Sequence, residues 1–223
     1  MHEKRETKLQ VRRLVLIAML AAVAYMMVSL VRIPVVLFLK YEPKDVIITI
    51  GGFLLGPMVS FLVSLVVSLL EMVSISDTGP IGAVMNLLST CSFACVASLV
   101  YKRRHTLRGA VEGLLAGAVV MVTTMLLWNW LIPPLYMTGT SRSDIAAMLV
   151  PVFLPFNLLK AGLNSAFILL VYKPLVTALR RAHLVDAPKA PSAQKQIPWG
   201  IYILALFLLV TCILLVLVFQ GKL

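Results

Sequence analysis

The feature that most limits what this chain can fold into is a series of apolar runs separated by short basic clusters. The runs are residues 14–31, 46–55, 58–73, 81–101, 109–131, 151–172 and 201–219. As helices, most of them approach or exceed the ~20 residues needed to cross a bilayer. The chain is 61% hydrophobic, against roughly half in a soluble domain, and no polar segment is long enough to fold separately. The net charge of +11 would suit nucleic acid if the basic residues shared one soluble surface. Instead they sit at the ends of the apolar runs, the pattern of the positive-inside rule. The expectation is an all-α, multi-pass protein of the cell membrane, surrounded by lipid, with no nucleic-acid partner.

Counting Lys and Arg orients it. With a cytoplasmic N-terminus and seven crossings, fourteen fall on the cytoplasmic side and five outside, with Lys160 inside the membrane. That arrangement requires residues 46–55 to cross, although ten residues are short for a span. Gly56-Pro57 ends this run, so it and 58–73 are either two short tilted helices or a span with a re-entrant piece. Broken apolar segments of this kind surround the sites of many transporters.

The run from Pro151 carries the most informative polar residues. Asn157, Lys160 and Asn164 are spaced i, i+3 and i+7, which places them on one helix face. A Lys within a membrane helix costs at least ~2.5–3.5 kcal/mol and normally turns towards water, a partner or a ligand. Snorkelling to the interface is the plain alternative; the two asparagines on the same face favour a binding site. In the expected topology, the stretch from Lys40 to Asp45, Asn86 and Asn129 also lies towards the outer face. Residues 34–39 form an apolar loop, either dipping into the membrane surface or covering a pocket.

Catalytic and metal chemistry find little support. There is no Walker A, HExxH or GxSxG pattern, and Glu71 and Glu112 look isolated near helix ends. Cys91, Cys95 and Cys212 lack companions at metal-site spacing and read as packing residues. No catalytic residue, metal or cofactor is expected. Ala18 and Ala22 form a small-xxx-small pair, with Ala21 adjoining, where another helix can approach closely. Gly109, Gly113 and Gly117 make a second close-packing stripe.

Four stretches read together are specific in combination: Phe38-Leu-Lys-Tyr-Glu-Pro-Lys-Asp45, Gly51-Gly-Phe-Leu-Leu-Gly-Pro57, Asn129 with a following Pro and Tyr, and Pro155-Phe-Asn-Leu-Leu-Lys160. Over about residues 10–178 the chain resembles the riboflavin-binding S components of energy-coupling-factor (ECF) vitamin transporters. The resemblance implies a six-helix membrane bundle with an outward-facing vitamin pocket. It also implies an energising module made of one transmembrane subunit and two ATPases, and riboflavin as transported ligand rather than cofactor. Asn129, Asn157 and Lys160 match positions that hydrogen-bond the vitamin, and Leu39, Lys40 and Tyr41 match a loop that closes the pocket. Ala18, Ala21 and Ala22 match the face that docks on the transmembrane subunit.

The domain plan that follows is a basic cytoplasmic start (1–13), the six-helix substrate-binding unit (14–181), a Pro/Ala-rich linker (182–198) and an added C-terminal transmembrane helix (199–223). That last helix departs from the six-helix pattern. A biotin or pantothenate S component is the alternative, since Lys160 would suit a carboxylate. A membrane enzyme acting on lipid headgroups is a further one, but it lacks a convincing nucleophile or acid–base pair near Lys160.

Overall fold

A computed structural model describes residues 2–36, 39–76, 79–132, 141–181 and 199–221. The loop 133–140 and the linker 182–198 lie outside the described residues. The elements in chain order are α1 (His2–Leu30), a hairpin of β1 (Ile33–Val36) and β2 (Leu39–Tyr41), α2 (Lys44–Leu55), α3 (Pro57–Ser74), α4 (Gly79–Arg104) and α5 (Leu107–Leu131). Then come α6 (Arg142–Met148), a π-helical turn (Leu149–Phe153), α7 (Leu154–Arg181) and α8 (Trp199–Phe219). Among the described residues, six helical stretches are long and apolar enough to cross a membrane. The all-α membrane bundle with an added C-terminal helix is therefore the observed architecture.

The helix of α1 is continuous from His2, so residues 2–13 form its first turns. Residues 46–55 resolve into α2, twelve residues long, or about 18 Å at 1.5 Å per residue. Gly56 ends it with φ +101°, a backbone conformation a side chain would strain. Pro57 then opens α3 at a position where its missing N–H is no loss. A short helix carrying charge survives at membrane depth only if protein surrounds it. Accordingly α2 packs on α1, α3, α4 and α7, with Asp45, Thr49 and Ile50 fully buried.

Two segments outside the apolar runs are ordered. The stretch after Arg32 folds into the antiparallel hairpin, pairing Ile33 with Tyr41 and Pro34 with Lys40; α2 begins at Lys44, so Lys44 and Asp45 are helical. Ser141 caps α6 by accepting from the Asp144 amide, while the Asp144 side chain accepts from the Ser141 amide, the reciprocal capping box. Pro151 falls in the π turn, where the wider coil tolerates a residue with no N–H.

The main core joins α2, α4, α5 and α7. Phe53 stacks on Tyr101 at 4.4 Å between ring centres, and Tyr101 and Tyr172 share a hydrogen bond of 2.5 Å between their hydroxyls. The glycine stripe lies where α5 meets α4: a Cβ at Gly113 would sit 2.6 Å from the Ala97 carbonyl oxygen, and one at Gly117 2.6 Å from that of Phe93. These two helices touch backbone to backbone. On the other side α8 packs along α7, with Cys212 against Gly162. Its end reaches the hairpin, where the Gln220 amide donates to the Pro34 carbonyl at 2.6 Å.

Candidate functional site

A cavity of about 390 Å³ lies under the hairpin. One wall comes from α4 and α5 through Ile81, Gly82, Met85, Asn86, Ser89, Met125 and Asn129; the facing wall comes from α7 through Phe156, Asn157 and Lys160. Leu39 and Lys40 of β2 border it, together with Arg32, Glu42 and Ser76. Six residues singled out in the sequence therefore meet at one place: Leu39, Lys40, Asn86, Asn129, Asn157 and Lys160. The combination of apolar walls and a few convergent polar groups is that of a small-molecule site.

The two asparagines act alike. Asn129 donates one amide N–H to the Met125 carbonyl at 2.7 Å, and Asn157 donates to Phe153 at 2.8 Å, each one turn back on its own helix. This bond fixes the amide orientation, because a carbonyl accepts only from the NH₂ side. Each asparagine has its carbonyl oxygen and a second N–H outside this bond, on the lining of the cavity.

Lys160 is 7% exposed and does not snorkel. Its ammonium lies 3.3 Å from the Asp45 carboxylate and donates to the Ser89 hydroxyl at 3.1 Å. Asp45 in turn accepts from the Thr90 hydroxyl at 2.7 Å and from the Asn164 amide at 3.3 Å. The Asn164 carbonyl oxygen accepts from the Tyr41 hydroxyl at 3.0 Å. Tyr41 and Asn164 consequently stand behind the cavity wall rather than on it. Asn164 shares its helix face with Asn157 but lies two turns further along, where α2 replaces the cavity.

A second buried cluster supports the mouth. Lys44 is wedged between Glu71, with 2.5 and 2.6 Å to its two oxygens, and Glu42, at 2.9 Å. Asn86 donates to Glu71 at 2.8 Å, and Arg32 Nε approaches Glu42 at 3.2 Å. Glu71 is thus not the isolated acid expected at a helix end: it is almost fully buried against a cation 27 residues away. Glu112 pairs with Arg104 on the surface at 2.9 Å.

Sequence reasoning passed over Ser89, Thr90, Met85, Met125 and Phe156. Two of these carried a usable signal: Ser89 is i+3 from Asn86, and Met125 is i−4 from Asn129, the spacings of a shared helix face. On α1, Ala18 and Ala22 are exposed, alongside the exposed Val15, Met19 and Val23. Ala21 corrects the expectation of a three-residue docking face. It is 5% exposed and packs inward with Ile48, Val59 and Val63, because one residue further round a helix turns the side chain by about 100°.

The chain is 29% identical to the riboflavin transporter RibU of Staphylococcus aureus (strain TCH60), over 81% of this chain and all of that one. It is 26% identical to the riboflavin transporter FmnP of Bacillus subtilis (strain 168), over 79% of this chain and all of the relative. A solved structure described as the S component of a bacterial ECF transporter superposes with a TM-score of 0.63 at 29% identity, covering 77% of this chain and 99% of that one. The family model for the substrate-specific component of ECF transporters matches residues 12–172, which takes in α1 to α5, the hairpin and the cavity-lining part of α7. The chain is therefore a multi-pass membrane transport subunit rather than an enzyme, and belongs to the substrate-specific components of ECF transporters.

Proposed function

We propose that this subunit captures riboflavin from the outer face of the cell membrane and passes it to an ATP-driven ECF complex. The observation that carries this reading is the pairing of two back-bonded asparagines, Asn129 and Asn157, across a cavity with Met85, Met125, Phe156 and Leu39 on its walls. Riboflavin has a flat ring with alternating carbonyl acceptors and N–H donor edges. Asparagine side chains match that alternation, and the apolar walls suit the ring faces. The named relatives supply the ligand class. Lys160 adds a donor, but its charge is already matched by Asp45. A site built for the free carboxylate of biotin or pantothenate would keep its cation unpaired, so the charge state favours a neutral ring.

With α2 counted as a crossing, the fourteen-to-five distribution of basic residues supports a cytoplasmic N-terminus. The energising partner, a transmembrane subunit with two ATPases, is assigned to the exposed Ala18/Ala22 face. The test is titration of purified ligand-free protein with riboflavin, biotin and pantothenate. Saturable one-to-one binding of riboflavin alone is expected; binding of either carboxylate vitamin in its place overturns the assignment.

A further inference from the structure

We infer that Asp45 is the positioning residue of the pocket, acting on the ligand only through Lys160. The inference rests on the riboflavin reading above. Asp45 is wholly buried in the first turn of α2, where the helix N-terminus favours a negative charge. Both carboxylate oxygens are engaged: one by Thr90 at 2.7 Å, the other by Asn164 and Lys160, each at 3.3 Å. It is absent from the cavity wall, whereas Lys160 is on it.

An ammonium has three N–H donors on a flexible four-carbon stem. Asp45 and Ser89 hold two of them, which leaves the third for a ligand and removes the rotational freedom the stem would otherwise have. A carboxylate on α2 thereby sets where a lysine on α7 presents its donor. A different fate follows for each component. Loss of Lys160 removes a ligand contact, while loss of Asp45 leaves the contact atom present and misplaced.

The experiment is a double-mutant cycle on riboflavin affinity, read by quenching of the vitamin's fluorescence, with thermal unfolding of each variant in the same detergent. Asp45→Asn is expected to weaken binding tenfold or more when Lys160 is present, and by less than twofold in a Lys160→Met background. Equal weakening in both backgrounds overturns the positioning role, since Asp45 would then shape the pocket independently of Lys160; so does unchanged affinity for Asp45→Asn. Thr90→Val removes one donor from Asp45 while leaving every charge paired. Should Asp45→Asn fail to fold, Thr90→Val decides: threefold weakening confined to the Lys160 background supports the role, and any other pattern overturns it. A wild-type protein that binds no riboflavin overturns the ligand assignment, and this inference falls with it. Normal wild-type binding with an additive cycle overturns this inference alone.

Discussion

Lys44 offers the sharpest test of the buried charges around the pocket. It is 1% exposed, and its ammonium stands between Glu42 and Glu71. Lys44→Met keeps most of the apolar stem but leaves two carboxylates facing each other with no cation between them. Removing one partner of a buried ion pair costs about 3–5 kcal/mol. Here part of that cost is offset, because Arg32 remains 3.2 Å from Glu42 and Asn86 still donates to Glu71. The lower end of the range, about 3 kcal/mol, is therefore the expected loss. For a chain of this size each kcal/mol moves the unfolding midpoint by about 2–4 °C, which predicts a drop of about 6–12 °C. Adding Glu71→Gln removes one of the two opposed charges and should restore most of it. The assay is thermal unfolding in a mild detergent, followed by the monodisperse fraction on gel filtration. A drop below about 2 °C for Lys44→Met, or no recovery in the double variant, would refute the reasoning, since a hydrated triad loses little when one charge is removed.

Four further outcomes are expected. Asn157→Ala should weaken riboflavin binding by about 0.5–1.5 kcal/mol, the range for a neutral hydrogen bond, with no large change in stability; calorimetric titration checks it. Ala18→Leu/Ala22→Leu should leave riboflavin affinity intact while abolishing ATP-dependent uptake into vesicles and co-purification with the energising subunits. Ala21→Leu, placed in the packed interior, should instead cost about 1–3 kcal/mol of stability through overpacking; if all three substitutions behave alike, the division of the α1 face is wrong. A chain ending at Asp186 should still bind riboflavin but exchange it faster than the full chain in stopped-flow fluorescence, because the Gln220 to Pro34 bond is gone; unchanged exchange would show that this bond does not restrain the hairpin.

The number of apolar helices, the break at Gly56-Pro57 and the face shared by Asn157 and Lys160 were legible because each depends on local chemistry: apolar length, proline and glycine, and helical period; the short α6 carried no such signal. The partners of those polar residues were not. Glu71 looked isolated because Lys44 is 27 positions away and approaches only when α2 folds back on α3. Lys160 invited a snorkelling reading for the same reason: its neutralising Asp45 lies on another helix. Asn164 shows the converse error, since periodicity gives a face but not what stands opposite it at each depth. The hairpin was read as loop because Pro34 and two short strands give little alternation to recognise.

The glycine contacts between α4 and α5 also decide where this molecule is able to open. At Gly113 and Gly117 there is no side-chain layer to slide or to prise apart, only one backbone against the other. Those two helices supply Ile81, Gly82, Met85, Asn86, Ser89, Met125 and Asn129, the whole of one cavity wall. That wall behaves as a fixed jaw. Opening is then left to the hairpin side, where polar ties at Tyr41, Asn164 and Gln220 add to the apolar packing of Val35, Leu39 and Tyr41. Contacts of that kind break and re-form one at a time, whereas a backbone seam parts only all at once.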